Sequence, residues 1–437
     1  MCGFIVANSD EMVTPHHHVI NRFSQFRGPD LTKHNLREGV CFIHNLLHIT
    51  GEKTEQPIEF DDIWIVFNGE IYNYKDLGDY SSEGPCIADA YRNRELYKLD
   101  GEFAIVIVDF KEQIITAYTD SFSTKPLWVG FGEGKFCFAS YKSSVEAIGL
   151  EAVRMPWGTN LVYDMKKKGL EWITSNYAFD IKQKKDTYDD WIKAFKNSIR
   201  KRTRDVGRGM FMGLSSGYDS GAISCELDNQ GVECSRYTVM ANETKEILNR
   251  RYEQHGGYLM KPFVEDYKRV RQYIKENCED FKYRDKFNKY NIKKDKASVG
   301  LGLICELAQK KDQRVYFSGQ GSDEIMSDYG FNGRKFMSHS EFGGKFPKSL
   351  KGFFPWHSFY DGTQIKYLNK EEYIAGCYGI ETRYPFLDRD LVQEFLWLTP
   401  ELKNRRYKAP LHEYFKRNDY PFEEGVKKGF RAKDGLR

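Results

Sequence analysis

The stretch Met210-Phe211-Met212-Gly213-Leu214-Ser215-Ser216-Gly217-Tyr218-Asp219-Ser220-Gly221 decides the fold of the second half of this chain. An apolar run of strand length ends in a turn of serines and glycines, and a helical pattern follows the turn. Small residues allow the backbone to surround a phosphate group, and the N–H groups at the helix start supply donors and a positive dipole. The GKS or GKT sequence of a Walker A loop is missing, so the pattern predicts a different kind of nucleotide site.

A second turn of the same kind, Phe317-Ser318-Gly319-Gln320-Gly321-Ser322-Asp323-Glu324, follows another apolar strand. Asp219 and Asp323 would then both lie at the C-terminal edge of a parallel sheet, where open α/β sheets bind their ligands. Mg²⁺ binds few protein carboxylates together with phosphate oxygens, so we predict that these two aspartates are its ligands. The alternative is that each aspartate caps a helix, and one residue can fill both roles.

Strands and helices alternate from about residue 186, which predicts a parallel sheet with crossover helices. The first 165 residues instead contain short β-rich runs separated by polar turns. The residues between them, 166–185, read as a hairpin turn followed by a solvated linker at Lys182–Lys185. We therefore predict a β-rich domain over residues 1–165, a hairpin and linker over 166–185, and an α/β domain over 186–437.

Two helices are predicted among the strands of the first domain. One is capped by Thr14, has Pro15 at its first position and continues to Phe26 with apolar residues on one face. The second candidate is Ile87–Leu96. The change to helical spacing in the second half is clearest where three large apolar residues stand four apart, at Trp191, Phe195 and Ile199.

Cys2 directly follows the initiator methionine. Removal of Met1 would leave a thiol beside a free α-amino group, and this pair can act as nucleophile and base without a histidine. Asn68 offers a side-chain amide donor and Gly69 a backbone N–H with no Cβ in the way, which suits an oxyanion hole for acyl transfer. The alternative for this Asn-Gly pair is a hairpin turn.

Cys2-Gly3, Arg27-Gly28-Pro29-Asp30 and Asn68-Gly69-Glu70-Ile71-Tyr72-Asn73 resemble, in order and spacing, the class II glutamine amidotransferase domain. The turn at 214–221 is similar to the SGGxDS loop of PP-loop ATP pyrophosphatases, and Gly379–Asp388 is similar to G-[VL]-E-x-R-x-P-F-L-D. With both halves considered, the chain resembles the glutamine-dependent asparagine synthetases. In the first turn Ser216 replaces a glycine and Gly221 a serine, so the match is that of a divergent member.

The resemblance implies a fold class and a reaction. The N-terminal domain is expected to be an α+β Ntn-type sandwich of two antiparallel sheets between helices, followed by an α/β domain with a parallel sheet. ATP with Mg²⁺ would adenylate a carboxylate, and ammonia released from glutamine at Cys2 would pass through an internal tunnel and yield an amide, AMP and pyrophosphate. The implied partners are glutamine, ATP and a carboxylic acid acceptor, and the family suggests a homodimer.

The resemblance also carries roles onto residues of this sequence. Lys408 matches a lysine that faces the adenylate and pyrophosphate, and the tail Lys427–Phe430 would close over the pyrophosphate. Glu381 and Arg383 would lie under the acceptor pocket, or else form a structural salt bridge. The implied catalytic set is Cys2, Asn68, Gly69, Lys408, Glu381 and Arg383, and the implied glutamine-binding set is Arg27, Asn68, Glu70 and Glu83. The implied ATP-binding set is Gly213, Leu214, Ser215, Ser216, Gly217, Asp219, Ser220, Val239, Met240, Ser318, Gly319 and Gln320.

Three residues depart from the family pattern. Leu46 stands where the family has an arginine for the glutamine α-carboxylate, and leucine cannot replace that charge-assisted fork. Glu83 replaces an aspartate that holds the α-amino group. We expect weakened glutamine binding or a new route through Arg37 or His48, unless a shifted register hides the true arginine. Gln320 replaces a glutamate that would accept a proton, and glutamine is no base.

Composition excludes several classes of protein. The 66 basic and 63 acidic residues leave a charge of +3, without the basic surplus typical of proteins that bind nucleic acid or anionic membranes. The nine cysteines are scattered without a CxxC pair, which argues against a zinc ribbon and for reduced thiols. No apolar run is long enough to span a membrane and the N-terminus does not resemble a secretory signal, so we expect a cytoplasmic enzyme.

Two other functions remain open. An AMP-forming cyclase or amide ligase of the β-lactam synthetase type would use an internal amine in place of ammonia. Leu46 and Gln320 favour this reading, whereas Cys2, Asn68 and Gly69 argue against it. A catalytically reduced regulatory protein is the third candidate, and the intact Asp219, Asp323 and Lys408 argue against it.

Overall fold

A computed structural model describes residues 2–8, 17–240 and 243–427 of the chain, without the side chain of Trp172. Met1, the predicted cap Thr14 with Pro15, and Lys428–Phe430 of the tail lie outside these described residues. Within them the chain contains two antiparallel sheets, one five-stranded parallel sheet and two short hairpins. The predicted fold class, an α+β sandwich followed by an α/β domain, is therefore confirmed.

The first antiparallel sheet places the start of the chain at its centre. Its strands are β1 (Gly3–Asn8), β2 (Leu31–Arg37), β3 (Val40–Leu46), β8 (Trp128–Gly132), β9 (Lys135–Ala139) and β10 (Val153–Arg154). Their order is β10-β8-β9-β1-β3-β2, so β1 lies between β9 and β3 and pairs with both. Cys2 is thereby held at the end of a strand with neighbours on both sides.

The second antiparallel sheet packs on the first through apolar side chains. Its strands are β4 (Ile58–Phe60), β5 (Ile63–Ile71), β6 (Gly101–Asp109), β7 (Ile114–Thr119), β11 (Thr159–Asp164) and β12 (Gly169–Ser175), in the order β12-β11-β7-β6-β5-β4. Phe4 and Val6 of β1 face Val66, Val106 and their neighbours across the sandwich in one buried cluster. Alternate residues of β5 and β6 face the other way, toward the helices that cover this sheet.

Strand β12 moves the edge of the sandwich beyond the predicted boundary at residue 165. Residues 165–168 form the predicted hairpin turn, and β12 then pairs along β11 as the outermost strand of the sheet. The predicted solvated linker at Lys182–Lys185 is also wrong in part. The backbone N–H groups of Lys184 and Lys185 both donate to the Trp397 carbonyl, so this segment lies against the second half.

The predicted N-terminal helix is divided into two short ones, α1 (His17–Ile20) and α2 (Ser24–Arg27). The buried Asn21 lies between them and exchanges hydrogen bonds with the Asn45 side chain, so a tertiary contact replaces continued helix. The second predicted helix begins earlier than expected, at Glu83. The other helices of this half are α3 (Tyr74–Leu77), α4 (Glu83–Arg92) and α5 (Lys142–Glu146), with a 3₁₀ turn at Leu96–Lys98.

The parallel sheet has the order β15-β14-β13-β18-β21, and every neighbouring pair is parallel. Its strands are β13 (Gly209–Gly213), β14 (Ser235–Val239), β15 (Tyr258–Met260), β18 (Gln313–Phe317) and β21 (Glu381–Arg383). The sequence predicts strands at Met210–Leu214, Arg236–Met240 and Arg314–Phe317, which agree with β13, β14 and β18 within one residue at each end. The small hairpins are β16 (Lys282–Arg284) with β17 (Lys289–Asn291), and β19 (Gly330–Phe331) with β20 (Arg334–Lys335).

Helices cover the parallel sheet and bury apolar faces against it. They are α6 (Asp189–Thr203), α7 (Tyr218–Asn229), α8 (Lys245–His255), α9 (Val264–Asn277), α10 (Lys296–Lys310), α11 (Ser322–Met326), α12 (His357–Tyr360), α13 (Thr363–Gly376), α14 (Arg389–Trp397), α15 (Pro400–Lys403) and α16 (Ala409–Arg417), with a 3₁₀ turn at Pro385–Leu387. Trp191, Phe195 and Ile199 are buried on one face of α6, as their spacing predicts. No helix within the described ranges has the length and apolar character needed to cross a bilayer.

Buried charges from both halves meet where the sandwich contacts the parallel-sheet region. Lys125 lies 3.0 Å from Glu372 and 3.5 Å from Glu102, and Arg202 lies 2.7 Å from Glu102 and 2.9 Å from Asp388. Each of these side chains is at most 2% exposed. We call this group the interdomain charge network, and its members are Arg27, Glu102, Lys125, Arg202, Glu372 and Asp388.

Candidate active site

Cys2 is buried at the start of β1, and its backbone nitrogen donates a hydrogen bond to Asn68 Oδ1 at 2.9 Å. Burial raises the pKa of the Cys2 thiol and the carboxylates of Glu381 and Glu70 act in the same direction, while the Leu47 N–H group lowers it. The thiol therefore needs a base to become a nucleophile. The nitrogen of Cys2, which becomes an amine once Met1 is removed, is the nearest candidate.

Asn68 and Gly69 lie beside Cys2 on strand β5, which continues through both residues to Ile71. The hairpin-turn alternative for this Asn-Gly pair is therefore wrong. Asn68 Nδ2 is buried and has no hydrogen-bond partner among the described residues, which leaves it as a donor for a ligand. Gly69 has a φ of +114°, and a Cβ there would come within 1.8 Å of the Glu102 carbonyl oxygen, so only glycine fits.

A cleft of about 590 Å³ opens in front of Cys2. Its charged lining consists of carboxylates, and no lysine or arginine lines it within the described part of the chain. It is lined by Cys2, Leu46, Leu47, His48, Ile49, Thr50, Gly51, Glu52, Thr54, Gln56, Ile58, Phe67, Gly69, Glu70, Tyr74, Ser81, Ser82, Glu83 and Gly84. A zwitterionic amino acid would find no guanidinium or ammonium for its carboxylate here.

The residues that depart from the family pattern can now be placed. Leu46 lines the cleft, so no shifted register brings an arginine to its position. Arg37 points elsewhere and pairs with Asp62 at 2.6 Å, whereas His48 lines the cleft with Nε2 3.0 Å from the Gly51 carbonyl oxygen. Arg37 and His48 were the two residues expected to offer a new route for glutamine binding. Of these two, only His48 can contact a ligand in this cleft.

Glu70 and Glu83 both line the cleft, as a glutamine-binding role requires. Glu83 accepts a hydrogen bond from the Ile71 N–H at 2.6 Å, and Thr50 donates to Glu70 at 2.7 Å. Burial raises the pKa of both carboxyls, that of Glu83 well above its ordinary value. The neutral form of Glu83 is thereby favoured, and a neutral acid binds an α-ammonium group less strongly than a carboxylate does.

Arg27 was expected to bind glutamine, but it is not among the residues that line the cleft. Its Nε donates to the Cys2 carbonyl oxygen at 3.0 Å, its Nη1 to the Glu372 carbonyl oxygen at 3.1 Å, and its Nη2 contacts the Glu372 carboxylate. The predicted glutamine contact is therefore wrong. Arg27 instead fixes the backbone of Cys2 and ties it to the second half of the molecule.

Glu381 and Arg383 were expected under the acceptor pocket, and their side chains lie instead at the junction of the two halves. Arg383 Nε donates to Glu381 at 2.8 Å, and its Nη2 lies 3.2 Å from Glu70 of the Cys2 cleft. Successive residues of β21 point to opposite faces, so residues 381 and 383 share the face toward the sandwich. The geometry matches the salt-bridge alternative, and the position under the acceptor pocket stays a prediction.

The ATP-binding residues predicted from the sequence come together because they end three neighbouring strands. Gly213 is the last residue of β13, and residues 214–220 follow it. Val239 is the last residue of β14, and Met240 follows it. Ser318–Gln320 follow β18. The two glycine turns touch, since a Cβ on Gly319 would lie 2.8 Å from Asp219 Cβ. This is the C-terminal edge of the sheet, where α/β folds bind ligands.

A glutamate of this chain occupies the donors of the first turn. Glu243 Oε2 accepts from the Ser216 N–H at 2.5 Å and from the Ser216 hydroxyl at 2.6 Å. Arg251 holds the turn from behind through the carbonyl oxygens of Ser215 and Gly217. The turn thus binds a carboxylate through donors that the predicted phosphate site would use, and a phosphate bound there would have to displace Glu243.

Replacing Glu243 by glutamine is therefore expected to lower the KM for ATP several-fold, because the neutral amide competes less with a triphosphate. The measurement is pyrophosphate release at varied ATP concentration with ammonium as the nitrogen source. Glu246→Gln, an exposed carboxylate on α8, is the matched control and should leave the KM unchanged. An unchanged or higher KM in Glu243→Gln would contradict the competition.

Asp219 and Asp323 converge, as predicted, on one point. Lys408 Nζ lies 2.5 Å from Asp219 Oδ1 and 2.8 Å from Asp323 Oδ1, and Lys427 contacts the other oxygen of Asp323. Although burial acts to raise it, Lys408 and Lys427 hold the pKa of Asp323 well below its usual range. The predicted tail is Lys427–Phe430, and Lys427 is the one residue of it that the structure describes. Its ammonium contacts Asp323, and the role of the tail over the pyrophosphate stays a prediction.

This pair of carboxylates fits Mg²⁺ rather than a metal that needs a full set of protein ligands. Only two carboxylates converge, and no group of three or more histidine, cysteine, aspartate or glutamate side chains suited to a metal occurs among the described residues. Mg²⁺ usually takes one or two protein carboxylates together with phosphate oxygens and water. The ammonium of Lys408 now balances the charge that the metal would balance.

Glu371 is a residue of this site that the sequence analysis missed. Its Oε2 accepts a hydrogen bond from the Ser318 hydroxyl at 2.5 Å, and the same hydroxyl oxygen accepts from the Gln320 N–H at 3.0 Å. Burial raises the pKa of Glu371 to about 7, against the opposing effect of Lys370. Glu371 and Gln320 thus both contact the Ser318 hydroxyl. Gln320 cannot act as a base, whereas the carboxyl group of Glu371 titrates near neutrality and can.

The comparisons with known proteins agree with this arrangement. Residues 1–156 match the family described as glutamine amidotransferase domain. A putative glutamine-hydrolyzing asparagine synthetase of Methanocaldococcus jannaschii is 25% identical over 88% of this chain and 75% of its own length. The glutamine-hydrolyzing asparagine synthetase of Homo sapiens is 24% identical over 89% of this chain and 76% of its own length.

Solved structures give only a distant likeness. Glutamine phosphoribosylpyrophosphate amidotransferase from B. subtilis has a TM-score of 0.34 and 10% identity, covering 90% of this chain and 92% of its own.

The sandwich that holds Cys2 contains the residues that match the glutamine amidotransferase domain, and the parallel sheet with its two glycine turns lies outside that match. Along most of its length the chain is similar to glutamine-hydrolyzing asparagine synthetases, from which it has diverged to about a quarter identity.

Proposed function

We propose that this protein is a glutamine-dependent, AMP-forming ligase that converts a carboxylic acid into an amide. The observation that supports the proposal is the presence of two separate groups of reactive side chains in one molecule. Cys2 with the unpartnered Asn68 amide provides for amide hydrolysis, and Asp219, Asp323 and Lys408 provide for chemistry on a nucleotide. A single-function hydrolase or nucleotide-binding protein would need only one of them.

In the N-terminal site, the Cys2 thiolate would attack the side-chain amide carbon of glutamine. The Cys2 amine takes the thiol proton and later gives it to the departing ammonia. Asn68 Nδ2 and the Gly69 N–H would donate to the developing oxyanion, and Arg27 holds the Cys2 backbone in place through its carbonyl oxygen. Water then hydrolyses the thioester and releases glutamate.

In the C-terminal site, the acceptor carboxylate would attack the α-phosphorus of ATP and displace pyrophosphate. The turn at Ser215–Gly217 binds phosphate oxygens with its N–H groups, and Lys408 stabilises negative charge on the departing pyrophosphate. Mg²⁺ held by Asp219 and Asp323 would supply further charge neutralisation at the phosphates. Glu371 then removes a proton from the nitrogen that attacks the adenylate.

The β-lactam synthetase type of reaction is the second candidate, and specific observations favour it. Among the described residues no lysine or arginine lines the Cys2 cleft to bind an α-carboxylate, and Gln320 replaces the family glutamate. The intact Cys2, Asn68 and Gly69 constellation favours the first proposal. A regulatory protein with reduced catalytic activity is the third candidate. Such a protein would have no need to retain the two converging aspartates.

One experiment separates these candidates. Purified protein is given ATP, Mg²⁺ and a panel of carboxylic acids, and AMP and pyrophosphate are measured with glutamine, with ammonium, or with neither. AMP formation that requires glutamine or ammonium supports the proposal, and AMP formation indifferent to both supports a cyclase. An absence of pyrophosphate with every acid leaves the regulatory reading and contradicts a ligase.

Leu46→Arg is expected to strengthen glutamine binding, because it restores a guanidinium to the cleft where Leu46 now lies. Charge-assisted hydrogen bonds contribute about 1.5–3 kcal/mol, which corresponds to a KM lowered by roughly 10- to 100-fold. The measurement is glutamate release at varied glutamine concentration.

Leu46→Met is the matched control, because it keeps the volume and adds no charge. Its KM should equal that of the unaltered protein. If the unaltered protein already turns glutamine over with a micromolar KM, or if the arginine variant folds with an unchanged KM, Leu46 is not what limits binding.

A further inference from the structure

Two lysines lie unpaired and almost buried on one face of helix α13. Lys366 is 9% exposed and Lys370 is 8% exposed, and the two stand one helical turn apart. Lys366 Nζ is 3.2 Å from Asn288 Oδ1, and neither ammonium forms an ion pair with a carboxylate in the described part of the chain. The ring of Tyr367 lies 4.3 Å from the Lys366 ammonium and 4.4 Å from that of Lys370.

This arrangement is unfavourable in the free protein. Like charges four residues apart on a helix repel each other, and a desolvated ammonium without a counter-ion is costly. Burial and the neighbouring Lys370 lower the pKa of Lys366 to about 8, although Asp295, Glu324 and Asp285 act in the opposite direction from a distance. Asp285 is itself engaged by His357 at 2.7 Å and by Asn288 at 3.2 Å. The pair thus lacks a counter-ion of its own.

The two lysines are close to the nucleotide site. Glu371, the next residue of α13, contacts Ser318 of the second glycine turn. The ring of Tyr367 lies 6.5 Å from that of Tyr329, and the Lys427 ammonium lies 5.3 Å from the Tyr329 ring while contacting Asp323. The contacts that lead from the lysines to the carboxylates expected to hold Mg²⁺ therefore pass through two aromatic side chains, Tyr367 and Tyr329.

We propose that Lys366 and Lys370 bind a doubly charged anionic group of the acceptor, separate from the carboxylate that is adenylated. Two ammonium groups without a counter-ion match a charge of about −2, which is that of a phosphate monoester or of two adjacent carboxylates. The inference rests on the proposed function in one respect, since it takes the ligand of this face to be the acceptor. It narrows the substrate class to carboxylic acids with a second, strongly anionic end.

The test uses the full chain and three kinds of acid in the pyrophosphate-release assay. Besides the carboxylate to be adenylated, O-phosphoserine and 3-phosphoglycerate carry a phosphate monoester. Tricarballylate and citrate carry two further carboxylates. Aspartate and succinate carry only one further carboxylate. Turnover is expected with the first or the second kind, and which of them is used identifies the anion. Turnover of aspartate or succinate with a KM equal to or lower than that of the more highly charged acids would contradict the proposed anion site.

Variants locate the anion on the proposed face. Lys366→Met and Lys370→Met should each raise the KM for the acceptor by about 10-fold or more, the effect of one lost charge-assisted bond, with the KM for ATP unchanged. Lys351→Met, an exposed lysine, is the matched control. Without ligand, both variants should melt at or above the temperature of the unaltered protein, because the repulsion is relieved. A merely structural role for the lysines predicts lower melting and an unchanged KM.

Direct binding separates failure of this inference from failure of the proposed function. Calorimetric titration with O-phosphoserine and with tricarballylate, without ATP, should show binding that both methionine variants lose. Pyrophosphate release that ignores the variants would overturn the inference and leave the ligase intact. Binding that depends on the lysines, without pyrophosphate release from any acid, would support the anion site and contradict the ligase.

Discussion

Cys2→Ala is expected to abolish glutamine-driven amide formation and to leave ammonium-driven formation intact. In the proposed reaction the Cys2 sulfur attacks the glutamine amide, and loss of a nucleophile reduces such hydrolysis by on the order of 10⁴-fold or more. The residues proposed for adenylation, Asp219, Asp323 and Lys408, lie in the other half and contact one another there. Alanine is small enough that removal of Met1 should still occur, so the free amine is kept. The measurement is AMP formation with each nitrogen source.

Cys86→Ala is a suitable control, because it removes another buried thiol whose pKa burial raises to about 11. It should keep both activities. Loss of ammonium-driven turnover in Cys2→Ala would contradict the division of labour between the two halves. Mass spectrometry of the purified chain gives an independent check, because a retained Met1 would leave Cys2 without the amine that must serve as its base.

Glu371→Gln is expected to lower amide formation by about 10²- to 10⁴-fold, the usual effect of removing a general base. ATP–pyrophosphate exchange driven by the acceptor should persist, because adenylation does not need this proton transfer. The carboxyl must be ionised to accept a proton, and burial raises its pKa to about 7. Amide formation at saturating ammonium should therefore rise as pH increases through about 7, and this rise should vanish in the variant.

A compensating variant makes the assignment sharper. Gln320→Glu introduced into Glu371→Gln adds a carboxylate to the same glycine turn, because the backbone N–H of residue 320 donates to the Ser318 hydroxyl that Glu371 contacts. Partial recovery of amide formation is expected. If Glu371→Gln loses exchange and amide formation equally, the carboxylate positions the turn rather than moving a proton.

Local sequence patterns were sufficient for much of the fold. The strand at Phe211 and the helix at Phe195 were predictable because an apolar strand ending in small residues and a four-residue apolar spacing are signals carried by adjacent residues. The same holds for Asp219 and Asp323, which follow neighbouring strands of a parallel sheet and so converge. The outer strand β12 was missed because its exposed, mixed residues resemble a linker.

The errors occurred where a distant contact decides the outcome. Arg27 follows a motif that suggests a ligand contact, but Glu372 is the residue that fixes its direction, 345 positions away in the chain. Glu371 stands beside Lys370 and Glu372 on a helix, where a run of charges resembles a solvated surface. Only the packing of α13 against the second glycine turn shows that it faces Ser318.

The interdomain charge network restricts how this protein could have evolved from its parts. Arg27 and Lys125 from one half are neutralised by Glu372 from the other. Recombination that substituted an unrelated partner would therefore leave buried charges without a counter-ion at the interface. Removing one member of such a pair costs about 3–5 kcal/mol, a large share of the stability of an ordinary domain. The two halves are thus obliged to change together, and a foreign N-terminal domain could not simply be joined to this parallel-sheet half.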